Sequence, residues 1–509
     1  MKNWKTIALA TALLSLAVFA QKRAQAQSNP YISTQNPNVG SVQESILAQS
    51  NPSNSAQNPY AGSVEAIAAT PGVRQLSLND AIQLGIEHNL ALTLARLNED
   101  TAHAQKLQLA NYLLPNLSLY GSIGVQQLNL EAAGFTRALL PEFGIPPSEA
   151  ATFPLLVTVN PRIGQINMSQ QLFTWSGWDA WRAGKANERA AYYGTQSSRG
   201  LVVLNVGTAY LRAIADSAQV DYAQSLLNTD QVLLDQVHRK HLAGTAANLD
   251  ELRARVQFQS QQQTVIAAQN TFEKDKISLN RQIGLAPEQQ IQLTDATPYA
   301  DLAVMTVEQA RQEAYANRQD YQQLKQQIIA ADFERQAIHH ERYPGVSFSG
   351  NYGVTGVAGG IYHGTFVAMG TLNIPVFHEA KFRGDADVAR AQIEELRSQM
   401  NDLTNKIDQQ LRDSLLDLQT AQQLVHVSKS NVDLAGTALD QSTQRFKAGV
   451  DDNLAVAQAQ STLAQAQSQY VNSVFQYNQA KLGLARNLGI IDTQYKNYIP
   501  SGSSLPPGK

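Results

Sequence analysis

The sequence predicts an α+β fold built mainly from long α-helices, with four β-strands per chain. Three observations predict it. Proline is absent from 162 to 286 and again from 376 to 499, and because Pro costs about 3 kcal/mol inside a helix, runs of this length favour uninterrupted helix. Four short segments alternate apolar and polar residues with a period of two, the mark of a strand with unlike faces. Finally, the whole arrangement occurs twice along the chain.

The chain opens on a segment that is not part of the fold. Lys2 and Lys5 precede the apolar stretch from Ile7 to Ala20, and Ala24, Gln25 and Ala26 form a small-residue cleavage pattern. Residues 1–26 therefore read as a secretory signal peptide. Residues 27–75 are a low-complexity extension carrying a tandem repeat of 22 residues. QSNPYISTQNPNVGSVQESILA is followed directly by QSNPSNSAQNPYAGSVEAIAAT, identical at 11 positions. With few large apolar side chains, neither copy can build a core. The extension is either a spacer or a strap that lies along a groove and presents QNPxxGSV twice.

A larger duplication organises the rest. LSLNDAIQLGIEHN from Leu76 matches MTVEQARQEAYANR from Met305, and at the same offset Pro115, Gly121 and Gly124 meet Pro344, Gly350 and Gly353. Further on the offset is shorter, with Phe173 meeting Phe377, Gly244 meeting Gly449 and Gly284 meeting Gly489. The first half, 76–284, thus holds extra residues between its strands. A Pro-containing linker, 285–304, joins it to the second half, 305–490, and 491–509 form a tail.

Each half is expected to hold one helix of about 65 residues, 178–242 and 382–447, near 100 Å long at about 1.5 Å per residue. Each also has two shorter helices, 79–113 with 249–283 and 307–342 with 453–488. In the second half Ile393, Leu396, Met400, Leu403, Ile407, Leu411, Leu415, Leu418, Ala421 and Val425 form one stripe at helical spacing. The other faces are polar, so such a helix packs along narrow seams, as in a coiled coil. Two short helices end to end match one long helix, which favours a long rod. Gly244 and Gly449 mark tight helix turns at one end, since glycine suits the left-handed conformation that closes a helix.

At the other end come the strands. Leu117, Leu119, Ile123 and Val125 alternate with polar residues after Pro115, as do Val346, Phe348, Tyr352 and Val354 after Pro344. The returning strands carry Ile166, Met168 and Leu172, then Phe366, Ala368, Leu372, Ile374 and Val376. Each is long enough to cross a bilayer as a tilted strand. Such a hairpin could equally cover a soluble sheet, but the polar face is small and neutral, as a wet lumen requires. Aromatics also gather at the strand ends, Trp175, Trp178 and Trp181 after one, Tyr343 before another and Phe377 after a third, which suits a membrane-interface belt. Packed core is the alternative reading of the tryptophans. Residues 131–161 read as an extracellular loop or as an inward fold narrowing the mouth. Four strands cannot close a barrel, and exposed edges are not tolerated in lipid. The chain must therefore combine with copies of itself, three copies making twelve strands, although physics alone does not choose three.

Composition narrows the remaining classes. The chain has 509 residues, of which 16% are charged and none is cysteine; 56 glutamines fill part of that deficit. Absence of cysteine rules out thiol catalysis, a zinc knuckle or a lipoprotein anchor. A net charge of −3, or −7 once the four basic residues of the signal are removed, gives no sign of nucleic-acid binding. No phosphate loop, dinucleotide fingerprint or metalloprotease motif is present. His238 with His241 and His339 with His340 lack further metal ligands at suitable spacing and read as solvated surface groups. The expectation is a non-enzymatic protein without cofactor or metal.

Taken together, the two LSLNDAIQLGIEHN-like openings, Leu114 to Ser118, Ile374 to Phe377, and the helix turns RKHLAGTAANLDELRAR (239–255) and RFKAGVDDNLAVAQAQSTL (445–463) resemble the TolC-type outer membrane channel proteins. The resemblance covers 76–490. It implies a homotrimer with a twelve-stranded barrel in outer-membrane lipid and an α-helical barrel crossing the periplasm of a Gram-negative-type cell. It also implies passive exit for substrates passed on by an inner-membrane pump through a periplasmic adaptor, in drug efflux or type I secretion. The helix turns then form the periplasmic aperture. Asp250 matches a family acidic position; its second-half equivalent is Ala455, for which Asp451 and Asp452 stand in. Arg445 and Phe446 match a basic–aromatic pair. A coiled-coil protein that tethers the outer membrane and transports nothing is the rival expectation.

Overall fold

In a computed structural model, residues 59–499 are described apart from 65, 133, 296–298, 304, 449, 451 and 452. The expected signal peptide, the first copy of the 22-residue repeat, the last residues of the tail, and Gly449, Asp451 and Asp452 lie outside the described residues. The chain divides into two compact units. One is Gln108–Trp178 with Ala337–Phe382; the other is Asp179–Gln336 with the described parts of Asn54–Leu107 and Arg383–Lys509.

The elements alternate as an α+β chain. Helices α1 (Leu78–His88) and α2 (Leu90–Ala110) lead to strand β2 (Asn116–Ile123), after a short strand β1 (Arg74–Leu76). Strands β3 (Gln126–Asn129), β4 (Leu156–Val159) and β5 (Pro161–Phe173) follow, then helices α3 (Trp175–Leu242) and α4 (Asn248–Ile283). After β6 (Ile291–Leu293) the pattern repeats: α5 (Val307–Asn317), α6 (Gln319–His340), β7 (Gly345–Val357), β8 (His363–Asn373), α7 (Glu379–Lys447) and α8 (Asn453–Leu488). A helix absent from the expected tail, α9 (Ile491–Tyr498), buries Ile491, Tyr495 and Tyr498.

The two long helices have 68 and 69 residues. Along α7 the apolar stripe faces inward: Ile393, Ile407, Leu411, Leu418, Ala421 and Val425 are all buried. From Ile407 onward they join Val202, Val206 and Tyr210 of α3, Ile82 of α1, Leu279 and Ile283 of α4, and Val474, Tyr477 and Leu482 of α8 in one core. Both openings begin with a capping box, Ser77 with Asp80 and Thr306 with Gln309, in which side chain and backbone satisfy each other's free amides.

The expected helices 79–113 and 307–342 are each interrupted, at Asn89 and at Arg318, although neither is a helix-breaking residue. Asn89 turns extended (φ −67°, ψ 132°) and is 1% exposed. Its Nδ2 donates to the Tyr60 carbonyl at 2.9 Å and its Oδ1 accepts the Ala91 amide at 3.0 Å. Arg318 (φ −65°, ψ 121°) sends its guanidinium to Asp320 at 2.6 Å and Gln410 at 2.8 Å. In both cases tertiary hydrogen bonds outweigh helix continuity. The break at Asn89 also receives the second repeat copy. The Leu90 amide donates to the Gly62 carbonyl, Val64 to the His88 carbonyl and Ile67 to the Gly284 carbonyl. Thr70 donates to Gln289. The described part of this copy lies as a strap along α1 and the end of α4.

In the other unit β2, β5, β7 and β8 form one antiparallel sheet in that order. Register separates its faces. Leu119, Ile166, Tyr352 and Phe366 share one row, and Leu117, Met168, Gly350 and Ala368 the next. On the opposite face the rows read Ser118, Asn167, Asn351, Val367 and Tyr120, Gln165, Gly353, Thr365. The apolar face is uncovered, with Leu119 84%, Ile123 81% and Phe366 76% exposed. Strand β8 stops at Asn373, so Ile374 and Val376 follow the sheet rather than belong to it. The segment 131–161 is less open than a plain loop. Strands β3 and β4 pair at its base, and Leu130, Leu140, Ala150 and Val159 are buried.

Candidate functional site: the helix turns

The sequence 239–255 folds as a helix turn because Gly244 adopts φ +73°, which a side chain rarely tolerates. The Gly244 amide donates to the His241 carbonyl at 2.9 Å and the Thr245 amide to the Lys240 carbonyl at 2.9 Å, so the last carbonyls of α3 are capped. Helix α4 starts at Asn248 with Asp250 and Glu251 in its first turn, where the helix dipole favours negative charge.

Glu251 is the centre of this turn. Its Oε1 accepts from Nδ1 of His238 at 3.0 Å and from Nη2 of Arg255 at 3.1 Å, and its Oε2 lies 3.9 Å from Nε2 of His241. The hydrogen bond from His238 holds the Glu251 carboxyl below its ordinary range, aided by the nearby charges of His238, His241 and Arg255. His241 itself donates from Nδ1 to the Ala246 carbonyl at 3.2 Å. Both histidines are exposed at the surface, as expected, and His238 also ties the end of α3 to the start of α4 through the Glu251 carboxylate. Asp250, by contrast, is more exposed and lies 3.8 Å from Arg253 of its own helix.

Lys240 joins this turn to the second one. Its Nζ donates to the Phe446 carbonyl at 3.2 Å and stands 4.1 Å from the centre of the Phe446 ring, a cation–π geometry. Phe446 is buried with Leu233, Val237, Ala254 and Val456 in a small core separate from the main one. Arg445 occupies the last turn of α7, where its carbonyl accepts the Val450 amide at 3.0 Å. Deeper along the same helices lies Asp230, 1% exposed, with Gln257 and Gln460 as its facing polar groups. Both carboxyl oxygens lack a partner within hydrogen-bond geometry, and burial pushes its pKa up to about 6.

Glu251, Lys240 and Asp230 were not among the residues singled out from sequence. A signal existed for the first: histidines three apart at a helix end, followed across a short turn by an acid in the first turn of the next helix. Among the described residues no group of three or more His, Asp or Glu could hold a metal ion, and no helix is long and apolar enough to cross a membrane.

The aromatic residues at the strand ends are distributed unevenly. Trp175 packs edge-on against Phe173 at 5.1 Å between centres and faces His340 at 6.2 Å. Tyr343 lies 5.0 Å from His340. Trp175, Trp178 and Tyr343 are each about half exposed (49%, 49% and 43%), so packed core does not describe them, and Phe377 is 90% exposed. Further along α3, Lys185 stands over the Trp181 ring at 5.7 Å.

Comparison with known proteins settles the family. The sequence model of the outer membrane efflux protein family matches residues 81–285 and 305–490. The chain belongs to the outer membrane efflux protein family. Among curated members, the pyoverdine export outer membrane protein OpmQ of Pseudomonas aeruginosa is 24% identical over 328 residues, covering 64% of this chain and 69% of that one. The toluene efflux pump outer membrane protein TtgC of Pseudomonas putida is 23% identical over 443 residues, 84% of this chain and 86% of its own. Among solved structures, the CmeC outer membrane channel of Campylobacter jejuni superposes with a TM-score of 0.67 at 15% identity over 81% of this chain and 86% of CmeC. The efflux-protein fold is therefore that of the TolC-like channels, as the resemblance implied.

Proposed function

We propose that this efflux protein is one of three identical protomers of an outer-membrane duct, which gives substrates a passive exit after an inner-membrane pump has passed them on through a periplasmic adaptor. One observation carries the reading. A four-stranded sheet leaves two edges unpaired and one apolar face uncovered, and lipid tolerates such a sheet only when copies join edge to edge into a closed barrel. The polar face of Ser, Asn, Gln and Thr then lines a wet interior. The described residues hold no metal cluster, and energy for transport comes from the pump. OpmQ and TtgC are named for unlike cargoes, pyoverdine and toluene, which agrees with a duct whose partner chooses the substrate.

The helix turns are the proposed aperture. Asp250, Asp451 and Asp452, repeated three times around an axis, would put a carboxylate ring at the narrow end that disfavours anions. Lys240 on Phe446 holds the two turns together in the closed state, and the Glu251 clamp braces the first of them. Planar-bilayer recording tests this. Wild-type protein is expected to conduct little, and D250N/D451N/D452N to conduct severalfold more with weaker cation preference. A silent membrane for both proteins, despite insertion, would leave a tether rather than a duct.

A further inference from the structure

The four strands of the main sheet contain one permanently charged side chain, Arg162. Register sets it opposite Ile123 on β2 and Gly356 on β7, hence on the apolar face with Leu119, Ile166 and Phe366. It is exposed there and makes no ion pair among the described residues. A cation on a lipid-facing surface is costly unless it reaches the interface.

Its height along the strand decides where it sits. Arg162 lies eleven residues from Phe173 on β5, about 36 Å at ~3.3 Å per residue. With strands tilted by roughly 40°, that is about 28 Å along the barrel axis, just past an apolar band of about 25 Å. If Phe173 and Trp175 mark the inner boundary, the guanidinium arrives at the outer headgroup level, with its stem on apolar surface.

Beside it the surface is hollow. A shallow, open depression there is lined by Gly121, Ile123, Arg162, Gly164, Val354 and Tyr362. Gly121 and Gly164 pair directly, so two strands in succession lack a side chain at this point. The Tyr362 ring lies across Gly356, where an added Cβ would come within 2.6 Å of the ring. The hollow lies on the face of the sheet, over β2, β5 and β7.

We propose that this hollow is a binding site for a phosphorylated glycolipid of the outer leaflet, of the lipid A class, whose acyl chain lies over the glycine floor while Arg162 holds a headgroup phosphate. The guanidinium fork matches phosphate oxygens two at a time, and an apolar trough beneath one cation is complementary to an anionic head above an acyl tail. This site rests on the channel reading, since it needs the apolar face in lipid with the hairpin loops outward.

The test uses the full mature chain reconstituted in phosphatidylcholine nanodiscs, with bound lipid counted by native mass spectrometry and stability followed by apparent Tm. Bisphosphorylated lipid A is expected to remain bound and to raise Tm, whereas its dephosphorylated form and inorganic phosphate at equal concentration do neither. R162Q should weaken lipid A binding by about tenfold, the size expected for a lost charge-assisted hydrogen bond, with R162K retaining part of it and Y362A lowering it. Equal binding by wild type and R162Q, no preference for the phosphorylated form, or equal protection by inorganic phosphate would overturn the site. Those results in a protein that still inserts and conducts leave the channel reading standing; a chain that never inserts sinks both.

Discussion

Asp230 is a carboxyl group that the fold holds against its own chemistry. No partner meets its oxygens, and burial raises its pKa from 3.8 to about 6. The sign follows from linkage: the folded chain prefers the neutral acid, so this contribution to stability is intact at low pH and is lost as pH rises from about 4 through about 6. Above that range the charged group costs the fold on the order of 3 kcal/mol. D230N, which stays neutral and can donate to Gln257 or Gln460, is expected to melt higher than wild type at pH 7.5, the gap closing toward pH 4. Thermal denaturation across that pH range checks it, and a gap independent of pH would show that ionisation is not the cause. Glu251 has the opposite character, since His238 and Arg255 stabilise its charge. Two acids on neighbouring helices thus differ in sign because His238 and Arg255 meet the Glu251 charge, whereas burial of Asp230 outweighs the neutral amides of Gln257 and Gln460 that face it.

Helices α1 and α2, and again α5 and α6, show how an element can end without a breaker. Nothing about Asn89 or Arg318 in isolation stops a helix, and reading along 79–113 and 307–342 gives a single helix in each case. The breaks arise because each side chain finds better partners outside its helix: the Tyr60 carbonyl and Ala91 amide for Asn89, and Asp320 with Gln410 for Arg318. The Tyr60 carbonyl and Gln410 come from segments distant in sequence, beyond the reach of local propensity, while Ala91 and Asp320 lie two residues on. N89A is expected to lower stability by roughly 2 kcal/mol, since it strands a buried carbonyl and an amide. It should also loosen residues 59–70, seen as faster proteolytic cleavage there and an apparent Tm lower by a few degrees. Unchanged cleavage with a lowered Tm would mean that Asn89 holds the helices and not the strap. The strands were easier to read, because a period of two needs no distant partner to be recognised; only their ends, at Asn373 and at the 131–161 hairpin, shifted.

For the whole molecule, the unpaired edges of β2 and β8 demand closure by further copies. Protein extracted in mild detergent is expected to have the mass of three chains by native mass spectrometry and to dissociate only on heating. A single chain, stable and dispersed without detergent, would contradict the barrel. A dimer or tetramer would preserve closure but change the strand count, and with it the width of the interior. Such an outcome would also redraw the proposed aperture, whose carboxylate ring would hold as many Asp250 side chains as there are copies.

The sequence by itself determined the α+β class, the long helices and the strand alternation. Each is written in local periodicity or in residues a few positions apart. Residues 244 and 284 carried their message too, because glycine at a helix end has a local conformational reason to be there. Only the tertiary structure decided what Glu251, Lys240, Asp230 and Arg162 do. Their roles depend on which groups arrive from other helices or strands, and a charge's behaviour is set by the partners and solvent around it rather than by its neighbours in the chain.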